Sequence, residues 1–135
     1  MKKSRKVFLL FILSGAAALI LWGCATKPPA VSDALSITEI FQRAQDAADK
    51  SDYSLAIAYY SLTAKSYPGD TAHIVWASYE IAFLYHKMGK NDTALSLLKD
   101  LLDRYAKEGD ALPAAPRVLA ERLSTRLEAL TPAKK

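Results

Sequence analysis

The chain has 135 residues and a mass of 14.8 kDa, enough for one modest domain and too little for two large ones. Lys2, Lys3, Arg5 and Lys6 supply its whole net charge of +4; without those four, the 18 basic residues become 14 and balance the 14 acidic ones. A neutral body in a chain that is 51% hydrophobic, with five Gly and six Pro, has the make-up of a folded globular domain. That excludes a disordered chain and an electrostatic binder of nucleic acid. One cysteine excludes an internal disulfide and leaves any zinc site to other ligand types.

The chain opens with the basic stretch Met1 to Lys6, followed by an apolar run of 16 residues from Val7 to Trp22 and a small residue, Gly23, before Cys24. These are the parts of a secretory leader, residues 1–23. The apolar run falls short of the roughly 20 residues of a spanning helix, and Gly15 followed by three alanines weakens it as a permanent anchor. The alternative is an uncleaved signal anchor. Leu21-Trp22-Gly23-Cys24 resembles the bacterial lipobox, with Leu21, Gly23 and Cys24 matching and Trp22 bulkier than the usual occupant. The resemblance implies that Cys24 is acylated and becomes the first mature residue, so that membrane lipid is one partner; several acyl chains hold a protein stably where one is marginal. Ala25 and Thr26 follow the cysteine instead of the aspartate that retains lipoproteins at the inner membrane. By that resemblance the anchor lies in the outer membrane, with the domain facing the periplasm.

Residues 24–35, with Pro28-Pro29 at their centre, read as the lipidated cysteine and an extended tether. The helical domain spans 36–130, and 131–135 form a disordered tail. Ser36 and Glu39 have capping-box spacing, and Ile37, Ile40, Phe41, Ala44, Ala47 and Ala48 recur at helical steps to Lys50. Ser51-Asp52 breaks that helix and caps a second, Tyr53 to about Ser66. Tyr67-Pro68-Gly69-Asp70 is a turn followed by a cap for a third helix, about Thr71 to Met88. Gly89 suits a left-handed helix end, and a fourth helix runs from Asn91 or Asp92 to near Tyr105. Gly109-Asp110, Pro113 and Pro116 open a fifth, with Leu119, Leu123, Leu127 and Leu130 as its apolar stripe. Short connections and the lack of strand-like alternation predict an all-α antiparallel array.

The segment from Ser51 to Tyr60 lies over that from Gly89 to Leu98, with Ala56 matching Ala94 at an offset of 38 residues. Here the chain resembles the tetratricopeptide repeat. Tyr53, Ala56, Tyr60 and Pro68 fill the motif positions of a first unit; Ala82, Tyr85, Gly89, Ala94, Leu98 and Leu101 fill those of a second. Arg43 and Ala47 depart from the leucine and tyrosine the family prefers. The period exceeds the usual length of about 34 residues, and the extra residues are expected to lengthen the helix that begins at Asp70. The resemblance implies helical hairpins stacked as a short right-handed solenoid, two repeats plus a C-terminal capping helix. So few repeats barely bury a continuous core, and self-association into a homo-oligomer or docking on a larger protein would relieve that.

Tetratricopeptide arrays bind segments along their first helices. In the second unit that helix carries Trp76, Tyr79, Phe83 and His86 at i, i+3, i+7 and i+10, beside Lys87. One reading is a groove for an apolar side chain or extended peptide, with His86 and Lys87 available to a carboxylate. The other is inter-repeat core packed near Phe41 and Gln45. The motif's register turns Ser78, Ile81, Ala82 and Tyr85 toward the partner helix. Arg117, Arg122 and Arg126 alternate with Glu121 and Glu128 as a solvated face would. His73 and His86 stand 13 residues apart on one helix, about 20 Å along its axis, too far to share a metal. No metal, phosphate-loop or nucleophile motif occurs, so neither an enzyme nor a cofactor is expected. The expected function is a lipid-anchored envelope scaffold that holds a segment of another envelope protein. The alternative is a periplasmic binder of a small apolar ligand that works with a transport system.

Overall fold

The computed structural model describes residues 34–130; the leader, Cys24, most of the tether and the tail from 131 lie outside the described residues. The described residues are all-α. In chain order they form α1 (Ile37–Asp49), α2 (Tyr53–Ser66), α3 (Thr71–Lys87), α4 (Asn91–Glu108) and α5 (Ala114–Leu130), with a 3-10 turn at Gly109–Ala111 before the last. Connections of three to five residues reverse the chain, so each helix packs antiparallel on the next. Contacts also run from α1 to α3 and from α3 to α5. The odd-numbered helices therefore form one continuous layer.

The starts of the helices follow from their caps. Ser36 accepts the Glu39 amide at 3.3 Å while the Glu39 carboxylate accepts the Ser36 amide at 2.9 Å. This reciprocal pair satisfies two amides that have no partner inside the helix. Asp52 and Asp70 accept the amides of Leu55 and His73 at 3.1 and 3.0 Å. Two ends differ from the sequence expectation. The fourth helix continues past Tyr105 to Glu108, because the next strong breaker is Gly109, left-handed at φ 62°, and Arg104 pairs with Glu108 at 2.7 Å across the last turn. In α5 the buried line is Pro116, Ala120, Leu123 and Leu127, whereas Leu119 is half-buried and Leu130 is 63% exposed. Counting leucines placed Leu123 and Leu127 correctly but missed the rest of that face, since a close helix contact selects a small residue such as Ala120.

The two hairpins close in the same way, 38 residues apart. Ser51 (φ 61°) and Gly89 (φ 75°) are both left-handed. Ser51 N–H donates to the carbonyl of Ala48 and Asp52 N–H to that of Ala47; Gly89 and Lys90 donate likewise to His86 and Tyr85, all at 2.8–2.9 Å. This is the hydrogen-bond pattern that ends helices on a left-handed residue. Glycine adopts it freely, whereas Ser51 bears a steric cost of about 1 kcal/mol. Of the two hairpins' first helices α3 is the longer, 17 residues against 13 in α1.

Two cores meet on α3. Val75 and Ala82 join Ala94, Leu98, Leu101, Tyr105, Ala120, Leu123 and Leu127 from α4 and α5. Ala77 and Leu84 join Ala44, Ala47, Ala56 and Tyr60 from α1 and α2. A smaller group, Leu35, Ile40 and Leu62, closes the chain entry, where the Tyr67 hydroxyl donates to the Leu35 carbonyl at 2.7 Å. Thr63, the counterpart of Leu101 at the 38-residue offset, is fully buried, and its hydroxyl has no hydrogen-bond partner among the described residues. An unpaired buried hydroxyl is unfavourable. Thr63→Val, nearly isosteric, is therefore expected to stabilise the domain by about 1 kcal/mol in urea denaturation, and an unchanged or lower midpoint would contradict the assignment.

Candidate functional site

The central helix α3 is packed on two sides, which leaves two arcs between them. One carries Ser78, Ile81 and Tyr85. Ser78 and Ile81 line a cavity of about 210 Å³ with Leu97, Asp100, Leu101 and Arg104 of α4, and Lys90, beside the start of α4, sits 5.8 Å over the Tyr85 ring. This arc thus faces the partner helix of its hairpin. The other arc carries Trp76, Glu80, Phe83 and Lys87, spaced four, three and four residues apart, as one helical face requires. At one edge His73 meets Phe41 of α1 edge-on, with ring centroids 5.4 Å apart. At the other edge Phe83 packs on the core that α5 completes. The open face therefore lies between α1 and α5.

The structure divides the predicted stripe. Trp76, Tyr79, Phe83 and His86 are all half-buried and Lys87 is exposed. Tyr79 and Phe83 stack, with centroids 6.2 Å apart, and Phe83 lies 6.3 Å from His86. Both rings lean on the core of α4 and α5, not on Phe41 and Gln45. Phe41 instead packs edge-on against Tyr60 at 5.2 Å and against His73. His86 Nδ1 lies 2.9 Å from Asn91 Oδ1, tying the end of α3 to the first residue of α4. A ring nitrogen held this way is not offered to a carboxylate. Trp76 makes no ring contact among the described residues and keeps its indole on the open face.

Glu80 is the residue that the aromatic pattern passed over. It sits one turn from Trp76 and from Phe83, half-buried, and makes no hydrogen bond or ion pair among the described residues. Burial pushes its carboxyl above the usual carboxylate range, and no Lys or Arg offsets that. Its charge is felt across the helix layer. The Tyr60 phenol is pushed up by burial first, then by the nearby Glu80 and Asp49, and Tyr79 by burial and then Glu80. The periodicity that places it was legible: Glu80 lies at i+4 from Trp76 and i−3 from Phe83.

Other candidates are accounted for locally. His73 Nδ1 lies 2.8 Å from the Asp70 carboxylate, and the His73 amide and side chain hold that carboxyl below its ordinary value. No group of three or more His, Cys, Asp or Glu among the described residues could hold a metal ion. Arg117 pairs with Glu121 at 2.9 Å, both about half exposed, while Arg122 and Arg126 are exposed. Two larger hollows, of about 480 and 400 Å³, lie at opposite ends of the array, one around Arg43, Lys50 and Tyr59, the other around Leu95, Lys99 and Glu128. Neither includes a residue of the Trp76 face. Among the described residues no helix is long and apolar enough to cross a membrane.

No family model, curated protein or solved structure matches this chain. The open face of α3 is thus described by its own geometry.

Proposed function

We propose that this protein is a lipid-anchored scaffold of the bacterial envelope, a short tetratricopeptide-type solenoid that holds a segment of another envelope protein on the face of α3 between α1 and α5. The observation that carries the reading is the recurrence of one hairpin at a 38-residue offset, with the same left-handed closure and matching buried alanines, Ala56 and Ala94. Such units stack side by side and leave their first helices along one surface. The residues of the open face are half-buried rings beside a charged group, the composition of a recognition surface. Attachment rests on the leader and the lipobox-like Leu21-Trp22-Gly23-Cys24. Acylation of Cys24 would place the domain a short tether away from the outer membrane, on its periplasmic side. The work of the domain is binding, not catalysis.

The test is crosslinking in the native cells, followed by recovery from the membrane fraction and identification of captured species by mass. Wild type is compared with the doubly substituted Trp76→Ala, Phe83→Ala chain, whose fold is checked by circular dichroism. A protein captured by wild type and lost from the folded variant is the expected result. Capture that survives the double substitution would move the contact off this face. Recovery of the chain from the soluble fraction would remove the lipid anchor from the proposal.

A further inference from the structure

The open face contains an ionisable group with no partner among the described residues. Glu80 stands between Trp76 and Phe83 on one side of α3, half-buried and unpaired among the described residues. The nearest cation on the same face, Lys87, is seven residues away, about 10 Å along the helix axis. Arg122 and Arg126 of α5 form no ion pair with it. A carboxylate partly removed from water and given no cation by any described residue is unfavourable to the free protein. A ligand that supplies the cation recovers that cost on binding, and aromatic rings on either side add attraction for a positive charge.

We propose that the Trp76, Glu80 and Phe83 face takes an arginine side chain from an otherwise apolar segment of a partner protein. The guanidinium donates to the Glu80 carboxylate while its plane lies against an aromatic ring, and the apolar neighbours in the segment cover the rest of the face. Arginine fits better than lysine because it is more weakly hydrated and planar, so it sheds water and stacks at lower cost. The same observations weigh against the opposite polarity. His86 Nδ1 is engaged by Asn91, which leaves only Lys87 and the other ring nitrogen for an acidic segment, and Glu80 would repel that segment as it would an anionic lipid surface. A metal ion is disfavoured because no three ligating side chains converge among the described residues.

This inference rests on the groove reading above, and the experiment separates the two. A displayed library of random peptides is selected on the full chain in detergent, with the Trp76→Ala, Phe83→Ala chain as the counter-selection. Selected peptides are expected to share an arginine flanked by apolar residues. Glu80→Gln should weaken them about tenfold or more, the effect of removing one partner of a desolvated charge pair. Replacing the peptide's arginine by glutamine should give the same loss on the wild-type chain, a measurement that does not depend on how any variant folds. Peptides that need Trp76 and Phe83 but carry no shared arginine, or bind equally well to Glu80→Gln, would overturn the inference and leave the groove standing. If no selected peptide depends on Trp76 and Phe83, the groove reading itself fails, and the arginine site with it.

Discussion

Leu98→Ala is expected to destabilise the domain by about 3 kcal/mol, a large part of the 5–15 kcal/mol typical of a small domain. Leu98 is fully buried in the core shared by α3, α4 and α5, among Val75, Ala82, Leu123 and Leu127. Truncation removes its transfer energy and leaves a cavity. The surroundings cannot collapse into that space easily: Ala82 and Ala94 have no side-chain length to spare, and α3 is held from its other side by Ala77 and Leu84. Urea denaturation should show a lower midpoint with an unchanged slope, because the surface exposed on unfolding hardly changes. A loss below about 1 kcal/mol would mean that Leu98 is not at the centre of this core.

The second large effect comes from adding volume. Ala94→Leu and Ala56→Leu are each expected to cost about 1–3 kcal/mol, since both alanines are fully buried and occupy equivalent places in the two hairpins. Each lies in the core that its own hairpin completes, where a side chain limited to Cβ lets two backbones approach. A leucine must push the helices apart or adopt a strained rotamer. Ala106→Leu, on an exposed part of α4, should stay within about 0.5 kcal/mol and serves as the control. Thermal unfolding reads all three. Each kcal/mol is worth about 4–8 °C in a domain of this size. Similar losses at positions 56 and 94 support equivalent hairpins; a loss at only one would break the equivalence.

Much of the fold is legible from local chemistry. Ser36 with Glu39, Asp52 and Asp70 mark helix starts because their side chains satisfy amides that no other group reaches, and those bonds form as expected. Gly89 marks a helix end because it adopts a left-handed φ freely. Ser51 performs the same turn with no such signature, and only its alignment with Gly89 reveals it. The fourth helix was harder to end, because Ala106, Lys107 and Glu108 favour helix as strongly as the residues before them. The Leu119 to Leu130 stripe held at Leu123 and Leu127 and missed at its two ends, for a different reason. Apolar character identifies residues able to be buried, whereas burial at Ala120 and exposure at Leu130 depend on how closely α5 approaches its neighbours.

The face of α3 shows the same division. Spacing along the chain determined that this segment is a helix, that it is capped by Asp70, and that Trp76 and Phe83 share one side, because helical periodicity is a property of the backbone alone. Tertiary structure decided the rest. An apolar residue suits any packed neighbour, so the sequence could not assign the rings to α1 or to α5, nor foresee that His86 is bound by Asn91. Glu80 became a candidate only when the fold half-buried it beside two rings with no cation from the described residues. The helices and their order are thus determined by local chemistry, whereas the open face exists because α3 is packed on two sides at once, and that packing depends on residues far apart in the chain.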